Sequence, residues 1–445
     1  MPWNVTSCLP ARQSILGTRN RNTTILVLLR QLRGVTKTSS NQGRVYSSLR
    51  DWRGCEKGKG WEEKVQGRRR VGLGGLSILT GGRETSGKMG KLGRATMTDL
   101  KKQYMSTKPP DKKGRAEPRP SASILLLSPT NQILLLHRVQ TSSSFPYAHV
   151  FPGGNLSAAQ DGPIPDPSSD ERHVDGPAYR MGAMRECFEE SGILLARNKE
   201  GGMLDVGVTE REEARRGVHM GELGFAGWVE GLGGVVDCDS LIPFTRWITP
   251  PNLPKRFTTQ MYIYFLPLSS PSPSPTTTSP IPSSAIIPVP TPDGGLEHTT
   301  AAFAPASHWL NLARKNEIIL FPPQYYLMHL LSSFLSPSPS SSPDNTHLQA
   351  QRDAILTFLN TGTSSGKHVK WAEKVISPKG IMMTSDGKSV LGLEGCGPEL
   401  EGKGRVGDGE RVVVCRFERG GPRDVEVRWR REVFDEERGK GGGKL

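Results

Sequence analysis

Apolar residues first gather into two short aliphatic runs, 124–127 and 133–136, separated by Ser-Pro-Thr-Asn-Gln. Such runs, closed by turn formers, predict buried strands, and the gap between them predicts a hairpin. His149-Val150-Phe151 reads as another strand end, opening into Pro152-Gly153-Gly154. The pattern then turns helical. A helix is predicted from about Tyr179, stopped by Gly192, where a residue free to take a positive φ is favoured. Further strands are predicted at 260–266 and 299–303, close together in one sheet, and a helix around Leu356 and Phe358 closes this region. Beyond Lys370, the alternation of Val412, Val414, Val425, Val427 and Trp429 predicts strands at 411–417 and 424–434. They read as a hairpin that packs on the preceding domain or covers its site.

Three proline- and serine-rich stretches interrupt the pattern: one between Gly154 and Tyr179, one at 269–292 and one at 336–345. This composition cannot build a packed core, so all three are expected to loop out. The chain thus divides into a basic, disordered extension at 1–104, a central domain at 120–362 with insertions near 155–178 and 269–295, and a β-rich extension at 366–445.

The predicted helix carries the candidate chemistry. Residues 185–193 read Arg-Glu-Cys-Phe-Glu-Glu-Ser-Gly-Ile, and helical spacing sets Glu186, Glu189 and Glu190 on one face. Like charges so spaced destabilise a helix by about a few tenths of a kcal/mol per pair. A divalent cation among them would remove that cost; a plain solvated face is the other reading. Hard cations such as Mg2+ take carboxylate and carbonyl oxygens.

Arginine, glutamate, an apolar-type residue, any residue, two glutamates, any residue, glycine and an aliphatic: this order resembles the helical half of the Nudix hydrolase signature. Residues 149–154 resemble the strand end and glycine loop that open it. The resemblance implies an α/β fold, the Nudix α/β/α sandwich, here with long low-complexity loop insertions and a C-terminal β-rich extension. It implies hydrolysis of a nucleoside diphosphate linked to another group, with Mg2+ or Mn2+ as cofactor. In that reading Glu186, Glu189, Glu190 and the Gly153 carbonyl hold the metal, and Gly154 adjoins the substrate. Arg185 orients a glutamate, its planar fork fixing a carboxylate as a lysine point charge cannot. Cys187 takes a position where the family places an apolar residue, and reads as packing. The signature's usual glutamate, eight residues before the arginine, is replaced by Pro177, so an insertion splits the motif. Glu297 is a further acid that would serve as auxiliary ligand or base; a solvated loop glutamate is the alternative.

The run Leu-Leu-Leu-His-Arg ending at Arg138, followed by Phe-Pro-Gly-Gly, resembles the coenzyme A diphosphatase branch of the family. Residues 247–251 leading into Lys255 and Arg256, and residues 309–323 followed by Gln324, strengthen the likeness. That branch cuts coenzyme A and its thioesters to 3',5'-ADP and a phosphopantetheine piece. Arg138 would stand at a strand end near the substrate mouth. Lys255 and Arg256 would suit the 3'-phosphate, or form an ordinary basic loop. Other substrates open to the same chemistry are ADP-ribose, dinucleotides and nucleotide sugars. A non-catalytic nucleotide- or RNA-binding module is the reading from a different class.

The chain has 445 residues, a net charge of +14 and a pI near 9.6, values that point to nucleic acid. Location changes that inference: residues 1–104 hold 21 Lys and Arg against 6 Asp and Glu, leaving the rest close to neutral. The expected partner is therefore a small-molecule diphosphate, not nucleic acid. The Arg-rich extension, with no acid before Asp51, is similar to a mitochondrial presequence, unless translation starts at Met97 or Met105. Its apolar Ile-Leu-Val-Leu-Leu patch is too short to span a bilayer. Gly443-Lys444-Leu445 resembles the Ser-Lys-Leu peroxisomal address. Peroxisome or mitochondrion is the expected compartment, and cytoplasm if neither signal is used. Six cysteines without paired spacing fit a reducing environment.

Overall fold

A computed structural model describes residues 105, 116–139, 147–268, 290–291, 298–335, 344–361, 369–418 and 420–441. The extension 1–104, Glu297, most of the 269–295 insertion and the Gly-Lys-Leu ending lie outside the described residues. In chain order the strands are β1 (Arg119–Leu127), β2 (Ile133–Arg138), β3 (His149–Val150), β4 (Gly153–Asn155), β5 (Ala196–Arg197), β6 (Val235–Val236), β7 (Ile242–Ile248), β8 (Phe257–Phe265) and β9 (His298–Ala304). Five follow: β10 (Val375–Ile376), β11 (Lys379–Met383), β12 (Ser389–Leu393), β13 (Asp408–Glu418) and β14 (Gly421–Trp429). The helices are α1 (Ala158–Asp161), α2 (Pro177–Ser191), α3 (Val208–His219), α4 (Phe225–Gly231), α5 (Ala306–Arg314), α6 (Pro322–Ser332), α7 (Asn345–Thr361) and α8 (Arg430–Gly441).

A mixed sheet runs in the order β10-β7-β8-β1-β2-β3, with β4 added to β1 and β9 to β2. The two aliphatic runs form the β1–β2 hairpin, with Leu127 opposite Ile133. β1 runs parallel to β8 along its whole length. The strands expected at 260–266 and 299–303 share this sheet as β8 and β9, with β1 and β2 between them.

Strand alternation sorts side chains into two cores. Leu125, Leu127, Ile133, Leu135, Met261 and Ile263 pack with Trp309, Tyr325 and Leu327 of α5 and α6. Ile124, Leu126, Leu134, Leu136, Tyr262 and Tyr264 pack with Tyr179, Ala183, Met184, Cys187 and Phe188 of α2. Because both faces of β1 and β2 are covered, their sequences are continuously apolar instead of alternating. Each such aliphatic side chain, fully buried, contributes about 1.5–3 kcal/mol. The result is the α/β/α sandwich.

The β-rich extension packs on this domain. β11 to β14 form an antiparallel sheet, and its Leu391, Leu393, Val413, Cys415 and Phe417 join the core on the face opposite α2. The strand expected at 424–434 ends at Trp429, and Arg430–Gly441 is helical. Charged pairs at helical spacing, Arg431 with Asp435 and Arg438 with Asp435, favour the helix there, while Val433 anchors it on Val390, Val412 and Val414.

The interruption before α2 is ordered despite its composition. It holds α1 and a 3-10 turn, Asp170–His173, whose Arg172 and His173 are buried. His173 Nδ1 lies 2.9 Å from Thr258 Oγ1, and Tyr179 Oη donates to the Arg172 carbonyl. These anchors supply the polar satisfaction that the proline- and serine-rich sequence alone does not advertise. Among the described residues, no helix is long and apolar enough to cross a membrane.

Candidate active site

α2 begins with Pro177 in its first turn, where the missing N–H leaves no bond unmade. It ends at Gly192, whose φ of 70° lets its N–H reach the Phe188 carbonyl at 2.8 Å. With residues 179, 183, 184, 187 and 188 committed to the sheet, Arg185, Glu186, Glu189 and Glu190 fall along the edge beside β4. The Cys187 thiol is among the packed groups, burial pushing its pKa up to about 12.

The glycine loop meets these acids directly. The Gly153 N–H donates to Glu190 Oε2 at 2.7 Å. A Cβ on Gly154 would lie 2.5 Å from Glu186 Oε2, and one on Gly153 would lie 2.3 Å from the Ala122 carbonyl of β1. A side chain at 153 would meet strand backbone, and one at 154 would displace the Glu186 carboxylate.

Arg185 organises the cluster. Its Nη1 donates to Glu186 Oε1 at 3.0 Å and Glu189 Oε1 at 2.7 Å, and its Nη2 to the Asn155 carbonyl at 3.0 Å. The rest of the guanidinium is held by Asp161, the last residue of α1, which also accepts the Ser157 N–H at 2.7 Å. Sequence spacing alone does not single out Asp161. Counting eight residues back from Arg185 lands on Pro177, whereas this acid lies inside the interruption, at the end of α1.

Burial raises the Glu186 carboxyl to about 7, Glu189 and Asp161 adding to the rise against the pull of Arg185. The crevice thus holds more negative charge than one arginine offsets. Its donors are carboxylate and backbone oxygens, which suit Mg2+ or Mn2+ in kind. Glu189 is turned to Arg185 and Glu190 to the Gly153 N–H, and among the described residues no three His, Cys, Asp or Glu side chains converge as ligands. Holding a cation would draw on the lone pairs that these hydrogen bonds leave on the carboxylate oxygens.

The remaining candidates are dispersed. Arg138 ends β2 in register with His298, whose Nε2 stands 3.6 Å from Glu190 Oε1, so Arg138 borders the cluster. Arg256 does not. Its side chain is buried, Nη1 pairs with Glu399 Oε1 at 2.6 Å, and Nε donates to the Thr249 and Pro250 carbonyls. It lines a separate cavity of about 380 Å3 with Arg172, His173, Glu399 and Lys403. Lys255 is exposed on the same turn. Besides Asp161, two groups near the acids carried no readable signal: His298 at the start of β9, and His219 of α3, whose Nδ1 is 3.3 Å from Glu189 Oε2.

No protein-family model matches the chain. Over 146 residues it is 32% identical to a putative nudix hydrolase 7 from Caenorhabditis elegans, covering 33% of this chain and 43% of that protein. Over 271 residues it is 27% identical to the acyl-coenzyme A diphosphatase NUDT19 of Gallus gallus, covering 50% of this chain and 65% of that one. The chain thus spans less than two thirds of the length of either relative. A solved NUDIX hydrolase from Alicyclobacillus acidocaldarius aligns with 50% of this chain and 99% of its own, at 21% identity and a TM-score of 0.37. In its motif, its sandwich fold and its sequence relatives, the chain resembles the Nudix hydrolase superfamily and, within it, the coenzyme A diphosphatases.

Proposed function

We propose that this protein is a divalent-metal-dependent hydrolase that cuts the pyrophosphate bond of coenzyme A or acyl-CoA, releasing 3',5'-ADP and (acyl-)phosphopantetheine. The observation that carries the reading is the gathering of Glu186, Glu189 and Glu190 around Arg185 beside the Gly153-Gly154 loop. Likeness to an acyl-coenzyme A diphosphatase supports the substrate class.

Water is a poor nucleophile and a diphosphate repels it. Bound Mg2+ or Mn2+ supplies the positive charge that offsets this repulsion and acidifies a water. Glu186, Glu189, Glu190 and the Gly153 carbonyl are the groups that would hold the ion. Arg185, fixed by Asp161, holds one oxygen each of Glu186 and Glu189. Glycine at 154 leaves the Glu186 carboxylate its space against β4. Glu189 and Glu190 are buried, so water competes weakly for their oxygens.

The test is hydrolysis by the full chain with Mg2+ or Mn2+, offering coenzyme A, acetyl-CoA, ADP-ribose, NADH and capped RNA and resolving products by mass. Metal-dependent release of 3',5'-ADP from the CoA substrates is expected. Preference for another diphosphate would keep the hydrolase and change its substrate. No turnover of any of them would overturn the reading.

A further inference from the structure

Glu189 is gripped by a helix that lies outside the signature. Its Oε1 accepts from Arg185 Nη1 at 2.7 Å, and its Oε2 lies 3.3 Å from Nδ1 of His219, the last residue of α3. One turn earlier on α3, Arg215 donates from Nε to the Glu189 carbonyl at 2.7 Å. Residues 215 and 219 are four apart and share a helix face. α3 therefore holds the main chain and the side chain of the same acid.

The grip is braced. Arg215 Nη1 donates to Thr291 Oγ1 at 2.9 Å, Nη2 to the Thr291 carbonyl at 3.1 Å, and the Thr291 N–H reaches the Ser191 carbonyl at 2.9 Å. The end of α2 is thereby fixed to α3. A carboxylate only accepts, so the hydrogen of the 3.3 Å contact sits on His219 Nδ1. The Glu189 side chain is 9% exposed and the imidazole 35%, which sets the pair at the rim of the crevice.

We propose that His219 is a positioning residue for the reaction, fixing the orientation of the Glu189 carboxylate from outside the signature. The proposal rests on the metal-dependent diphosphatase reading above. Each carboxylate oxygen has two lone pairs, so bonds from Arg185 and His219 orient the group without exhausting it. Ligating carboxylates are themselves hydrogen-bonded, and loss of such a partner typically costs about 10- to 100-fold in metal affinity or activity.

The experiment compares the full chain with its His219→Ala, His219→Phe and His219→Asn variants. Phenylalanine keeps a ring without a donor, and asparagine keeps an N–H close to the place of Nδ1. Mn2+ affinity is read by calorimetry, kcat and KM on coenzyme A separately, and folding by thermal melting. The alanine and phenylalanine variants are expected to bind Mn2+ about tenfold more weakly and to lose about tenfold in kcat with little change in KM, and asparagine to restore most of both. Should alanine fail to fold, phenylalanine carries the comparison. Unchanged Mn2+ affinity and kcat in the donor-free variants overturn the proposal even if melting shifts, and so does equal loss in all three. If no form hydrolyses coenzyme A but the Mn2+ pattern holds, the substrate reading fails and the positioning role stands.

Discussion

Arg185 and Asp161, 24 residues apart in the chain, meet in a two-pronged ion pair: Nε to Oδ1 at 2.8 Å and Nη2 to Oδ2 at 2.9 Å. The side chains are 6% and 0% exposed, so each charge depends on the other for its solvation. An acid inside the insertion thus locks an arginine placed after it. Only Nη1 remains to direct Glu186 and Glu189.

Removing Asp161 should therefore be costly twice. Asp161→Ala leaves a buried guanidinium unpaired, an expected loss of about 3–5 kcal/mol in denaturant unfolding. Asp161→Asn keeps shape and one acceptor, so it should lose less stability while still lowering metal-dependent turnover. Full activity in both variants would show that Arg185 needs no second anchor.

How far the sequence reveals this site depends on which residues are local. β1, β2 and α2 are legible because buried aliphatic runs and helical acid spacing are local patterns. Asp161 is not, because fifteen residues separate it from its partner's helix. His219 belongs to an Arg- and Glu-rich helix with few apolar positions, and nothing in that pattern says which side chain turns inward. The end of β14 is misjudged because Val433 fits a strand alternation, while the ion pairs that make α8 helical act at spacings of three and four.

Glu190→Gln changes one charge and little else, since both residues have similar helix propensity. The Gly153 N–H can still find the amide oxygen. Turnover is expected to fall roughly a hundredfold or more with melting almost unchanged, if Glu190 is the metal ligand proposed above. Activity near that of the unaltered protein would remove Glu190 from the site.

Gly154→Ala tests the glycine loop independently. Its Cβ would sit 2.5 to 2.6 Å from the three carboxyl atoms of Glu186, so the acid must move. Because the end of a side chain can shift more easily than backbone, the expected stability loss is modest, about 1–2 kcal/mol. Turnover should fall far more steeply than melting. Equal effects on the two would mean that Gly154 serves packing alone.

Arg256 offers a contrast between tethering and recognition. Its guanidinium holds Glu399, the Ala116 carbonyl and the Thr249–Pro250 turn, and its side chain is 0% exposed. Arg256→Ala is expected to destabilise the protein by about 3 kcal/mol or more. The ratio of turnover on coenzyme A to that on dephospho-coenzyme A should not change. A collapse of that ratio would place Arg256 at the 3'-phosphate.

His173 supplies a pH dependence that originates in the insertion. Burial, reinforced by the charges of Arg246 and Arg172, lowers its pKa from 6.5 to about 4. Between those values the unfolded chain takes up a proton that the folded protein refuses, so stability is full above pH 6.5 and falls as pH drops toward 4. The contribution is on the order of 2 kcal/mol across that window. His149 acts in the same direction, burial and then His137 lowering it to about 4 as well. Melting temperatures of the unaltered protein and His173→Asn, followed from pH 7 to pH 4.5, should therefore converge as pH falls, since asparagine keeps a polar group for Thr258 but takes up no proton. Parallel curves would mean that His173 takes up its proton alike in the folded and the unfolded chain, and that burial does not depress it.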